Sequence, residues 1–169
     1  EYEHPRQTPQ TPEELYKSAL ALREQGKLEQ VVGELRSLVR AYPLSPQAPE
    51  AQYLVAGIYA DLGKTDRAVK EFQKLVRDFP QSDKVDQSVK SLFDVGTSCL
   101  SGEKQKVLGM AIIPSLPKAA NIFKFIVDTA PYGAYGDQSQ YNLGVAYRKM
   151  GRYQEAVEAF QNVIDDYPY

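Results

Sequence analysis

The chain has 169 residues, 43 % of them apolar, enough to bury a core as one domain. Its formal charge is −2 with Lys and Arg dispersed among Asp and Glu, which excludes the electrostatic footprint of a nucleic-acid binder. No apolar run approaches the roughly 18 residues of a membrane span, and a single cysteine, Cys99, with a single histidine, His4, excludes an intrachain disulfide and any multi-cysteine or histidine metal cluster.

Residues Glu1 to Gln10 carry His4-Pro5 and Thr8-Pro9 without periodicity and are expected to form a flexible tail. Thr11 then caps a helix, with Pro12 in its first turn and Glu14 completing a capping box. Leu15, Ala19 and Leu22 make its apolar stripe, and Gly26 closes it. Val31, Leu35 and Leu38 face the core from a partner helix that ends at Tyr42-Pro43. A second pair runs through Tyr53, Ala56 and Tyr59 to Gly63, then through Ala68, Phe72, Leu75 and Val76 to Phe79-Pro80.

The third pair departs from this frame. Ser82 opens a helix through Val85, Val89, Leu92, Val95 and Cys99 with Gly102 as its stop, but Ala119 follows 17 residues after Gly102 where five are expected. The extra residues fall within Glu103 to Lys118, where Pro114 and Pro117 forbid one continuous helix. Leu108, Met110, Ile112 and Ile113 in this insertion either tuck into a groove of the fold or present a patch to a partner. Ala119 to Ala130 is the return helix, and Pro131-Tyr132-Gly133 turns the chain into a fourth pair.

That fourth pair holds the clearest pattern. Leu143, Gly144 and Tyr147 are followed by Gly151, Ala156, Phe160 and Pro168, the spacing of a tetratricopeptide repeat. The glycine admits a second helix at close range, and the proline stops that helix. A small or branched residue, a large apolar one four later and a proline twelve later recur as Val31, Leu35, Pro43, as Ala68, Phe72, Pro80 and as Ala119, Phe123, Pro131. The prolines are 37, 51 and 37 residues apart, so one interval is stretched by the insertion. The expected fold is all-α, a right-handed superhelix of about four hairpins over 11–43, 45–80, 82–131 with the insertion 103–118, and 134–168, in one domain spanning 11–169.

No Gly-rich phosphate loop occurs, the carboxylates read as caps and solvated faces, and Cys99 sits in an apolar helix with no histidine beside it. Catalysis and cofactors are therefore not expected. Binding belongs on the concave surface lined by the first helix of each hairpin. There Tyr16, Tyr53, Leu92 and Tyr141 are expected at one position, with Lys17, Leu54, Phe93 and Asn142 next to them and Leu20, Gly57, Gly96 and Val145 one turn on. This groove suits an extended peptide with large apolar side chains, and the alternative is that each tyrosine packs between repeats. Only Lys17, Asn142 and Arg148 could grip a terminal carboxylate, which disfavours a chaperone-tail clamp.

The phrases TPEELYKSALALREQGKLEQVVGELRSLVRAYPLSPQAPEAQYLVAGIYADLGKTDRAVKEFQKLVRDFPQS and APYGAYGDQSQYNLGVAYRKMGRYQEAVEAFQNVIDDYP, with the endings Tyr42-Pro43, Phe79-Pro80 and Tyr167-Pro168, resemble BamD-type outer-membrane assembly lipoproteins. The resemblance covers Thr11 to Pro168. It implies a periplasmic, noncatalytic scaffold lipid-anchored to the bacterial outer membrane. Its implied partners are unfolded barrel proteins at the N-terminal repeats, with Tyr16 and Tyr53, and the periplasmic domains of the insertase at the fourth repeat. The same endings occur in periplasmic adaptors of the cell-division and Tol-associated class. The anchoring cysteine is not within the sequence, and a chain trimmed at both ends is the expectation.

Overall fold

The computed structural model describes residues 10–168. Its eight described helices form four antiparallel pairs. The first is α1 (Pro12–Glu24) with α2 (Leu28–Ala41), the second α3 (Gln47–Asp61) with α4 (Thr65–Asp78). The third is α5 (Val85–Ser101) with α6 (Leu116–Thr129), and the fourth α7 (Gly136–Lys149) with α8 (Tyr153–Asp166). Each helix packs on the next in the chain, and α1 also meets α3, α4 meets α6 and α5 meets α7, so first helices stack on first helices and second on second. This is the expected all-α superhelix.

The punctuation follows the sequence closely. Thr11 caps α1 in a full capping box, with its hydroxyl accepting from the Glu14 amide and the Glu14 carboxylate accepting from the Thr11 amide. Gly26, Gly63 and Gly151 hold φ of 72°, 68° and 75° at the hairpin bends, the left-handed region where a Cβ would be strained. The second helices α2, α4 and α8 end on Tyr42, Phe79 and Tyr167 at φ near −130°, because the residue before a proline is pushed out of the helical region. Tyr42 Oη then donates to the Gln10 carbonyl at 2.7 Å, and Tyr167 Oη to the Pro131 carbonyl at 3.0 Å, tying each hairpin's end back to its start. Gln10 is the only residue of the expected N-terminal tail that falls within the described part.

Three boundaries differ from expectation. Helix α5 starts at Val85, since Ser82 makes a turn in which its hydroxyl accepts from the Lys84 amide. Helix α6 starts at Leu116, earlier than Ala119, because Ser115 caps it and Pro117 sits in the first turn, where a missing N–H costs nothing. Helix α7 starts at Gly136, where a Cβ would stand 1.6 Å from the Pro131 carbonyl oxygen.

The insertion folds as a β-hairpin, β1 (Gln105–Val107) and β2 (Met110–Ile112), paired antiparallel with Val107 opposite Met110. Leu108 and Gly109 make its turn at φ of 51° and 80°, as in a type I′ turn. Period-two alternation points Met110 and Ile112 into the body against α4 and α5, both essentially buried, and Ala111 outward. The four-residue apolar patch is therefore corrected: Met110 and Ile112 are core, and only Leu108 and Ile113 remain exposed. Cys99 is buried in the core as expected, and burial pushes its thiol pKa up, away from nucleophilic use.

Candidate protein-binding groove

The packing of glycine against phenylalanine sets the register of the groove. A Cβ on Gly144 would stand 2.6 Å from the Phe160 ring, and one on Gly96 would stand 3.0 Å from the Phe123 ring. Gly96 and Gly144 therefore occupy equivalent places, which counting from the conserved hairpin spacing extends to Ala19 and Ala56. Three residues before them stand Tyr16, Tyr53, Phe93 and Tyr141.

This corrects the third repeat by one residue. Leu92 is fully buried and shares its place with Gln52 and Gln140, which lie on the hairpin's inner face. Gln52 Nε2 donates to the Glu71 carbonyl at 3.1 Å and Gln140 Nε2 donates to the Ala159 carbonyl at 2.9 Å, the same bond in two repeats. Phe93 takes the position expected for Leu92, Asp94 that expected for Phe93, and Thr97 that expected for Gly96. The signal was present in the sequence as the match of Gly96 to Gly144, but the insertion breaks the count back from Ala119.

The aromatic residues are platforms rather than free hooks. Tyr53 lies against Phe72 with ring centroids 5.8 Å apart, Phe93 against Phe123 at 5.8 Å and Tyr141 against Phe160 at 5.5 Å, so each ring rests on the second helix of its own hairpin. Phe93 also meets Tyr135 at 4.8 Å. Tyr16, Tyr53 and Phe93 are half-buried and Tyr141 is 55 % exposed, so packing and availability coexist. Burial, then Glu50, raises the Tyr16 hydroxyl pKa above its ordinary value.

Beside the rings, Lys17 is exposed while Leu54 and Asn142 are half-buried; one turn on, Leu20 is exposed and Gly57 and Val145 are half-buried. Arg148 stands exposed near the end of α7. The centre of the groove carries more charge than expected. Asp94 pairs with Lys90 at 2.7 Å, and Lys84 pairs with Glu50 at 2.9 Å while its ammonium sits 5.8 Å from the Tyr53 ring centroid. The β-hairpin forms one wall here, a cleft lined by Phe93, Asp94, Thr97 and Ser98 from α5 and by Val107 and Leu108 from the hairpin. A second cleft at the far end is lined by Tyr141, Asn142 and Val163. Among the described residues no cluster of three His, Cys, Asp or Glu side chains is placed to hold a metal ion, and no helix is long and apolar enough to cross a membrane.

Residues 16–83 and 138–165 each match a family model described as a tetratricopeptide repeat, together more than half of the chain. No curated protein matches the sequence. Among solved structures, residues 41 to the end of MamA from Desulfovibrio magneticus RS-1 are 20 % identical over 93 % of this chain and 76 % of that one, with a TM-score of 0.42. A tetratricopeptide repeat protein from Parabacteroides merdae is 15 % identical over 92 % of this chain and 53 % of that one, with a TM-score of 0.44. With two matched stretches, four helical hairpins and the glycine–phenylalanine contacts that close the third and fourth of them, the chain belongs to the tetratricopeptide-repeat proteins, whose repeats serve as protein-interaction scaffolds.

Proposed function

We propose that the chain is a noncatalytic scaffold that holds an extended, apolar segment of a partner protein along the row Tyr16, Tyr53, Phe93 and Tyr141, and that it does so in assembling β-barrel proteins on the periplasmic side of a bacterial outer membrane. The row itself carries the binding reading: four aromatic rings at one position of successive first helices, three of them seated on a second-helix phenylalanine. A rigid ring loses little entropy on binding, and an extended chain presents alternate side chains at a spacing such a row can take. The assembly role and the location rest on the resemblance to BamD-type proteins in the aromatic-proline endings and the phrases around them.

The test is a fluorescence titration with a labelled peptide copying the last strand of an outer-membrane barrel, run beside Tyr53→Ala with Tyr141→Ala. Saturable binding, weakened about tenfold or more in a variant whose circular dichroism is unchanged, is the expected result. A peptide that fails to bind the intact chain sinks the barrel-substrate reading and leaves the periplasmic adaptor of the Tol-associated class, which shares the same endings.

A further inference from the structure

A shift of 88 residues carries α2 and α4 onto α6 and α8, so the groove between the second helices of the first two hairpins has an equivalent between those of the last two. In the first groove Arg36 reaches across to the Glu71 carboxylate, and Gln52 Nε2 donates to the same carboxylate at 2.7 Å. Arg36 and Arg67 both lie over the Tyr59 ring. In the second groove Ala159 stands where Glu71 does, and Lys124, in the place of Arg36, turns along its own helix to Asp128 at 2.8 Å. The space ahead of α7 is left open, a cleft of about 260 Å³ whose lining includes Gln140, Leu143 and Tyr147, the counterparts of Gln52, Val55 and Tyr59.

The sign of the groove also reverses. Arg40, Arg67 and Lys70 are replaced by Asp128, Glu155 and Glu158, which leaves the second cleft with three carboxylates against the one ammonium of Lys124. Asp128 pairs with Lys124 and Glu155 with Arg152, while exposed Glu158 makes no ion pair among the described residues. The floor holds unused partners too. Gln140 is 3 % exposed and its Nε2 donates to the Ala159 carbonyl, but no donor among the described residues reaches its amide oxygen. Tyr147 has one guanidinium over its ring, Arg152 at 4.6 Å, where Tyr59 has two. A following hairpin would not close the cleft, since the groove between α2 and α4 remains a surface cleft along Arg36, Val39, Arg40 and Lys74 with two hairpins after it.

We propose that this cleft takes an arginine side chain from a partner protein, which fills the place that Arg36 fills within the chain. The cleft is smaller than the roughly 300 Å³ at which small-molecule sites begin, so its size suits one side chain. The aliphatic stem runs over Val127 and Leu143, and the guanidinium lies against Tyr147 while it donates to the Gln140 amide oxygen and to Glu158. A planar fork spans two acceptors where an ammonium is a point charge, and it is more weakly hydrated, so arginine fits better than lysine. A glutamate replacing the missing Glu71 would have to enter against three carboxylates.

Nuclear magnetic resonance of the isotope-labelled chain tests this with N-acetyl-arginine N-methylamide as the probe, beside the same derivatives of citrulline, lysine and glutamate, and beside free arginine. The expected result is saturable shifts confined to α6, α7 and α8, with the Gln140 side-chain amide among them, at a millimolar Kd. Citrulline, which keeps the shape without the charge, and glutamate should bind about tenfold or more weakly, and lysine more weakly than arginine. Lys124→Arg with Ala159→Glu rebuilds the Arg36–Glu71 pair inside the cleft, and Glu158→Lys reverses a charge on its exposed rim. Each should weaken the arginine probe about fivefold or more with the circular dichroism unchanged. Citrulline or glutamate binding as well as arginine, no shifts at the cleft, or unchanged affinity in a folded variant overturns the proposal. So does tighter binding of free arginine than of the capped form, because the cleft then serves the amino acid and not a protein's side chain. The aromatic row shares no residue with this cleft, so the Tyr53→Ala, Tyr141→Ala titration stands or falls on its own.

Discussion

The second and fourth hairpins are built on one plan and differ in what lies against them. Gln52 and Gln140 make the same bond across the hairpin, Tyr53 and Tyr141 lean on Phe72 and Phe160, and Gly63 and Gly151 bend the chain at nearly the same φ. Yet Phe72 is 2 % exposed and Val69 8 %, while Phe160 is half-buried and Val157 69 % exposed. The internal bonds of a hairpin thus come from its own thirty-odd residues, whereas its burial comes from the next hairpin, as expected for a quasi-one-dimensional array. The second hairpin also holds a network the fourth lacks: the Glu71 carboxylate accepts from Gln52 Nε2 at 2.7 Å and pairs with Arg36 of the first hairpin. Arg36 and Arg67 both lie over the Tyr59 ring, at 5.5 and 5.6 Å.

The largest expected effect separates the two hairpins at their entry. Ala48 in the second occupies the place of Gly136 in the fourth, so alanine is native to one and excluded from the other. Gly136→Ala drives a Cβ into the Pro131 carbonyl, which cannot move without shifting the α6–α7 turn. A loss of about 3 to 5 kcal/mol in urea unfolding is expected, against about 1 kcal/mol for Ala48→Gly from added chain entropy. Equal small losses at both sites would mean that the turn gives way easily and that Gly136 is not what sets it.

Next comes the core phenylalanine. Phe72→Ala should cost about 4 kcal/mol, since the ring is buried by α3 and by the following repeat, and Phe160→Ala about half of that because one side of its ring lacks a covering helix. Thermal melts followed by circular dichroism give both values. A larger loss at Phe160 would show that the contact with Gly144, not the neighbouring repeat, dominates this position.

These contrasts also mark what could be read from the residues alone. The four hairpins, their bends at Gly26, Gly63 and Gly151 and their aromatic-proline endings were legible because each rests on a local backbone rule. The row of equivalent first-helix positions was legible in three repeats and shifted by one residue in the third, because its register there is set by Gly96 meeting Phe123 across a 14-residue connection between α5 and α6. The inserted hairpin was not legible. Its turn places Leu108 at a positive φ that usually calls for Gly, Asn or Asp, and its strands are three residues each, too short for alternation to speak. That half of its apolar residues are core and half exposed is a property of which face meets α4 and α5, and no local pattern encodes that.

The smallest effect is the sharpest test of the comparison. Val69→Ser places a hydroxyl under α5 and removes a branched side chain from a covered stripe, so about 2 kcal/mol of stability should be lost. Val157→Ser makes the same chemical change on a surface already in water, and the loss should stay within about 0.5 kcal/mol. The difference between the two values measures what a neighbouring helix adds to one position of the stripe. If a helix copying α5 is appended or supplied, the cost of Val157→Ser should climb toward that of Val69→Ser, because the two positions then face the same kind of surface. A cost at Val157 that is already large in the chain alone would mean that something in solution covers α8, and a concentration series would show whether that cover is a second copy.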